Sequence, residues 1–184
     1  TRYFSSAASD VYKRQATGLY EEITPIQVPA GVAIVGDELR STTIQPQVGY
    51  ETNDMFRVRN GCGIRNMTLQ GMSGVLGSVD NYGAQVPNTG AYVALDPGSG
   101  PADTSVWITN KSTYVQNVTT IGTACIGMKV DGALHNGGNK SIVANDFTQV
   151  ISDGIGMWCN ADGKSELVSV FTYFAHIGYY CTCL

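Results

Sequence analysis

Carboxylates are the side chains of this chain best equipped for chemistry, and four of them flank strand-like runs: Asp131, Asp146, Asp153 and Glu166. Cleaving a glycosidic bond takes two carboxylates on either side of it, about 5 to 9.5 Å apart. In stacked repeats, equivalent positions on neighbouring repeats lie one strand spacing apart, about 4.8 Å, so stacking could assemble such a pair. The local context favours plainer roles. Asp146 follows Asn145 in a bend, where a carboxylate ordinarily bonds nearby backbone. Asp131 and Asp153 each precede a glycine, Gly132 and Gly154, which is a turn signature. A calcium-dependent lyase would want clustered acidic ligands and a base to take a proton. Lys129, Lys140 and Lys164 supply basic groups, but none adjoins an acidic cluster. His135, within ALHNGGN, reads as a loop residue, and His176 follows an aromatic strand at the core edge. Neither has a metal or triad partner nearby in sequence. No catalytic, cofactor-binding or metal-binding residue is assigned, and no cofactor is expected.

Aromatic side chains offer a different chemistry, stacking on sugar rings. Trp107, Trp158, Tyr173, Phe174, Tyr179 and Tyr180 form the set, and strand alternation points about half of them inward. The five cysteines are odd in number, and no CxxC is present, so buried thiols acting as small hydrophobes are expected. Cys181 and Cys183 fall on one strand face, but Cα atoms two residues apart in a strand bridge poorly. The sequons beginning at Asn66, Asn110 and Asn117 follow from an asparagine-bend pattern. A formal net charge of −4 with no run of Lys or Arg argues against nucleic-acid binding. No apolar run approaches the ~20 residues of a membrane-spanning helix, so membrane insertion is not expected.

The elements that must position these residues repeat. GIRNMTLQG, YVQNVTTIG, VANDFTQVI and VSVFTYFAH align on Thr68, Thr119, Thr148 and Thr172. Four residues before each threonine sits Ile64, Val115, Ala144 or Val168, and immediately before it Met67, Val118, Phe147 or Phe171. Asn66, Asn117 and the pair Asn145-Asp146 supply bends, because Asn and Asp tolerate the left-handed backbone region. Each pattern is preceded by a strand-like run, at Met55–Asn60, Ser105–Asn110, Ile126–Gly132 and Ile155–Asn160, with a fifth beginning at Ile177. Ile23–Ile44 reads as an additional first coil, bending at Gly36-Asp37. Val, Ile, Thr and aromatics fill the runs, and no sustained helical spacing competes. The predicted fold is all-β: a single-stranded, right-handed parallel β-helix of about five coils, roughly 24 Å tall at one strand spacing per coil. A Gly-, Ser- and Pro-rich excursion at about 72–104, containing AYVAL, reads as a long loop insertion packed on the coils.

Ser5–Gln15, SSAASDVYKRQ, can be back-translated into a string resembling a transposase-type sequencing adapter. Residues 1–15 are therefore set aside as non-native and expected to be disordered, leaving 16–184 as one incomplete β-helix domain, cut at both ends. The runs NKSIVANDFTQVISDGIGMWC and VQNVTTIGTACIGMKVDGALHNGG resemble the β-helical virion structural proteins of marine tailed phages, cyanophages especially, and so do AIVGDELRSTTIQP and FRVRNGCGIRNMTLQGM. The resemblance runs from about Tyr20 to Tyr179. It implies a pectin-lyase-like β-helix in a tail fibre or other exterior virion component, located in the phage particle. Its implied partners are other virion proteins, its own copies as a homotrimer, and a host surface glycan. The alternative it leaves open is a glycan-binding or polysaccharide-degrading tailspike segment, either a glycoside hydrolase or a lyase.

Overall fold

The computed structural model describes residues 12–59, 61–95, 112–132, 141–161 and 163–182. Among the described residues, fourteen strands stack in two parallel sheets, with a small antiparallel hairpin of two more beside them. The first sheet holds β1 (Tyr12–Gln15), β2 (Gly18–Glu22), β4 (Ala33–Gly36), β5 (Thr42–Pro46), β7 (Gly63–Ser73), β11 (Thr113–Thr123), β13 (Ser141–Ser152) and β15 (Lys164–Tyr173). The second runs β3 (Ile26–Gln27), β6 (Phe56–Arg57), β10 (Ala91–Leu95), β12 (Ile126–Asp131), β14 (Ile155–Asn160) and β16 (Ile177–Thr182). The chain alternates between the sheets: the first two levels put two strands each in the first sheet, β1 with β2 and β4 with β5, and each later coil adds one strand to both. This is the parallel β-helix expected from the repeat, with six strand levels in the second sheet where about five coils were expected.

Between the sheets lies a continuous apolar core. Ile34, Ile64, Val115, Ala144 and Leu167 occupy one register column, and Met67, Val118, Phe147 and Val170 another. Ile64, Met67 and Phe147 are fully buried, each worth about 1.5–3 kcal/mol against exposure. Each long strand of the first sheet bends at a residue with left-handed backbone: Asn66 (φ 55°), Asn117 (φ 52°), Asp146 (φ 50°) and Ser169 (φ 52°). A second left-handed column, Ala124, Asp153 and Phe174, makes the turn into the second sheet.

Three features depart from the sequence reading. Thr68, Thr119 and Thr148 share a column, but Thr172 pairs with Gln149, while Phe171 stands beside Thr148. The fourth repeat is thus displaced by one residue, and Leu167 and Val170 take the core positions given above to Val168 and Phe171. The bend sets the register: Ser169 stands two residues before Phe171, as Asn66 stands two before Thr68. Secondly, AYVAL is no part of a loop. It is β10, stacked between β6 and β12, and only β8 (Leu76–Val79) and β9 (Gln85–Pro87) form an inserted hairpin. Ser105–Asn110 lies outside the described residues. Thirdly, Tyr12–Gln15 are ordered as β1, in parallel register with Ala33–Gly36, with Arg14 paired to Asp37. Four residues suffice there because β4 offers an open edge.

Candidate functional site

A connected set of polar and aromatic groups lies on the second sheet, beside the inserted hairpin. Parallel register places Arg57, Ala94, Lys129, Trp158 and Tyr180 in one column. A neighbouring column holds Asp131, Asn160 and Thr182. Ala91, Ala94, Ile126 and Ile155 form a small apolar cluster, against which Val86 of the hairpin, Trp158, Ile177 and Tyr180 pack. The strands carry these side chains at fixed spacing, and the hairpin walls one side.

Within this face the groups satisfy one another. The Lys129 ammonium lies 5.0 Å from the centre of the Trp158 ring and 3.8 Å from Asp131 Oδ2. Trp158 and Tyr180 rings are 5.8 Å apart and tilted by 42°. Asn160 Nδ2 donates to Asp131 Oδ2 at 3.3 Å, Trp158 Nε1 donates to Thr182 Oγ1 at 2.9 Å, and Thr182 Oγ1 donates to Asn160 Oδ1 at 3.1 Å. The Tyr180 hydroxyl donates to Asp80 of the hairpin, which also accepts from the backbone of Tyr82 and Ala84. Desolvation, then the Asp80 carboxylate, pushes the Tyr180 phenol up to about 12. The Tyr180 hydrogen bond in turn holds Asp80 below the usual carboxylate range. Chemically, the face offers the Lys129 ammonium, the Arg57 guanidinium, the Asp131 and Asp80 carboxylates and aromatic edges, engaged largely with one another.

The sequence-selected carboxylates are not brought together as a pair. Asp131 closes β12 and is 8% exposed, with Asn160 at the equivalent position of the next coil. Asp146 sits exposed in its bend, flanked across the coils by Asn117 and Ser169. Asp153 is an exposed turn residue whose amide donates to the Phe174 carbonyl at 3.3 Å. Glu166 is exposed on β15 above Val143. Lys164 is exposed on β15, and His176 is exposed in the following turn. Lys140, His135, Trp107 and Asn110 lie outside the described residues. Among those described, no group of three or more His, Cys, Asp or Glu side chains could hold a metal ion, and no helix is long and apolar enough to cross a membrane.

The aromatic set is less inward than alternation suggests. Tyr173, Phe174 and Tyr179 are 48%, 76% and 53% exposed, on or beside the outermost strands β15 and β16. Sequence reasoning also missed a polar column inside the stack. Thr120, Gln149 and Thr172 occupy successive positions above Leu69. Gln149 is fully buried, and its Nε2 and Oε1 make no hydrogen bond, nor do Thr120 Oγ1 and Thr172 Oγ1. Gly127 and Gly156 make room for it: a Cβ on Gly127 would lie 2.7 Å from Gln149 Cδ, and one on Gly156 would lie 2.7 Å from Thr172 Oγ1. The IGM triplets at 126–128 and 155–157 are the signal that could have revealed this.

No protein-family model matches, and no curated protein matches. Among solved structures, ORF18 of Geobacillus virus E2 is similar over 97% of this chain, at a TM-score of 0.35 and 11% identity. The chain spans about a third of that protein's length, the matched region being 35% of it.

Proposed function

We propose that this chain is a segment of a non-catalytic, elongated structural protein on the exterior of a tailed-phage particle, a tail fibre or a related tail or capsid component. The observation that carries the reading is where the reactive-type side chains are spent. Asn117 bonds Asn66 across coils at 3.1 Å, Asp131 takes Asn160, Trp158 takes Thr182, and Asp54 accepts the Ala91 amide at 2.9 Å. Groups that could act on a substrate hold one coil to the next. The resemblance of the coils to β-helical virion proteins of marine phages supports the same reading and adds self-association as a homotrimer. A second reading, a glycan-binding or glycan-degrading spike, draws on the exposed Tyr173 and Phe174 rings, 6.5 Å apart. Two measurements test these readings. Antibody against this chain should decorate the outside of intact particles in electron micrographs, and purified full-length protein should release no oligosaccharide from bacterial surface polysaccharide. Labelling of infected cells but not particles would refute the virion role. Oligosaccharide release would refute the non-catalytic one.

A further inference from the structure

Two cysteines meet across the last two coils. Cys159 of β14 and Cys181 of β16 are Cα partners in parallel register. Both continue the column of Leu95 and Val130, whose side chains are in the core, so the two thiols share a face. In-register partners on adjacent parallel strands lie about 4.8 Å apart, inside the Cα range that a disulfide spans. Their Cβ atoms must close slightly to reach bonding geometry. Among the described residues β16 pairs only with β14, so a small shift of Cys181 toward Cys159 breaks no other strand pairing. The two thiols also differ in access. Cys181 is exposed, whereas Cys159 is 5% exposed, with its Sγ 3.2 Å from Ser165 Oγ. Cys62 and Cys125 are buried elsewhere, with thiols pushed up to about 11 and about 12 by burial.

We propose that Cys159 and Cys181 form a reversible disulfide that staples the last coil, closed by a small-molecule disulfide. Exposed Cys181 attacks first, forming a mixed disulfide and releasing one small thiol. The Cys159 thiolate then attacks the Cys181 sulfur, giving the Cys159–Cys181 bond and releasing the second small thiol. Two protein thiols are oxidised, one disulfide reagent is reduced to two thiols, and two protons go with them.

The test uses the full chain carrying Cys183→Ser, which removes the nearby competing thiol, treated with oxidised glutathione. Non-reducing peptide mapping should find a 159–181 cross-link two hydrogens lighter than the two peptides. The midpoint of thermal unfolding should rise by about 5–10 °C and fall back on reduction. Cys181→Ser, a change at an exposed position, should show neither effect. Persistent glutathione on Cys181 without the cross-link would overturn the proposal, as would a Cys181–Cys181 link between two chains.

Discussion

The left-handed bend is the feature on which the stack most depends, and Asn117 tests it. Its backbone has φ 52°, and its Nδ2 donates to Asn66 Oδ1 at 3.1 Å. Replacement by valine removes that half-buried hydrogen bond, about 0.5–1.5 kcal/mol. It also forces a β-branched residue into the left-handed region, at about 1–2 kcal/mol. Together the loss is about 2–3 kcal/mol. Glycine loses the same bond but adopts the backbone without strain, so Asn117→Gly should cost about 1 kcal/mol. At this chain length each kcal/mol moves the unfolding midpoint by about 2–4 °C. Asn117→Val should therefore melt about 5–10 °C below the parent, and Asn117→Gly about 2–4 °C below, by circular dichroism at a fixed heating rate. The contrast between the two variants isolates backbone strain from the lost bond. If valine and glycine melt together, the bend is not what sets the register.

Other consequences follow from the same ladders. Ser169→Asn places a better left-handed residue at the fourth bend (φ 52°) and should raise the melting midpoint by about 1–3 °C, measured in the same assay. Gln149→Leu removes two buried polar atoms without hydrogen bonds and should stabilise the fold or leave it unchanged, whereas Gly127→Ala, with its Cβ 2.6 Å from the Gly156 carbonyl oxygen, should cost about 1–3 kcal/mol; denaturant titration of both would expose an error in either sign. The Asp80–Tyr180 tether stabilises the hairpin from both ends of the pH scale. Asp80, held low when folded, contributes above the ordinary carboxylate range and loses this as pH falls through its folded value, while Tyr180, raised, contributes below about pH 10 and loses this as pH rises through about 12. Protection of the β8 and β9 amides, taken relative to intrinsic exchange at each pH, should fall on acidification in the parent and much less in Tyr180→Phe. The last coil leaves Val168, Phe171 and Phe174 54%, 54% and 76% exposed beside the open strand edges of β15 and β16, so the chain should self-associate. Light scattering should report masses above the monomer, reduced by Phe171→Ser with Phe174→Ser, and a monodisperse parent monomer would contradict this.

The architecture was legible because bends and strands recur at residue types with one physical reason each. Asn66, Asn117 and Asp146 announce left-handed backbone, and Ile64, Val115 and Ala144 announce a column facing the core. Where the reading slipped, chemistry was shared by neighbours. Ser169 performs the bend without being a strong left-handed former, so the threonine that follows attracted the alignment and displaced it by one residue. AYVAL passed for part of an insertion because the glycine-rich hairpin before it hid the return to the stack. The face around Lys129, Trp158 and Tyr180 was legible only as separate residues, not as one assembled set. Its members come from three coils and a hairpin, and Asp80 meets Tyr180 across a hundred residues of sequence.

A repeated stack constrains where a ligand could be recognised. Any side chain within a column has neighbours about one strand spacing above and below, and the polar ones here use those neighbours as hydrogen-bond partners. Such groups are stabilised against reorientation and give up little to a ligand. Specificity must then come from parts that break the repeat. Among the described residues, the β8–β9 hairpin is such a part, and it touches the stack through Asp80 on Tyr180 and Val86 on the apolar cluster. The hairpin also exposes Val75, Val79 and Tyr82, which no column requires. Changes there can alter what the surface meets while leaving the coils in register, whereas changes to Asn117 or Gln149 alter the coils themselves. The fold thereby separates a geometry of support set by the coils from a hairpin that stands outside their register.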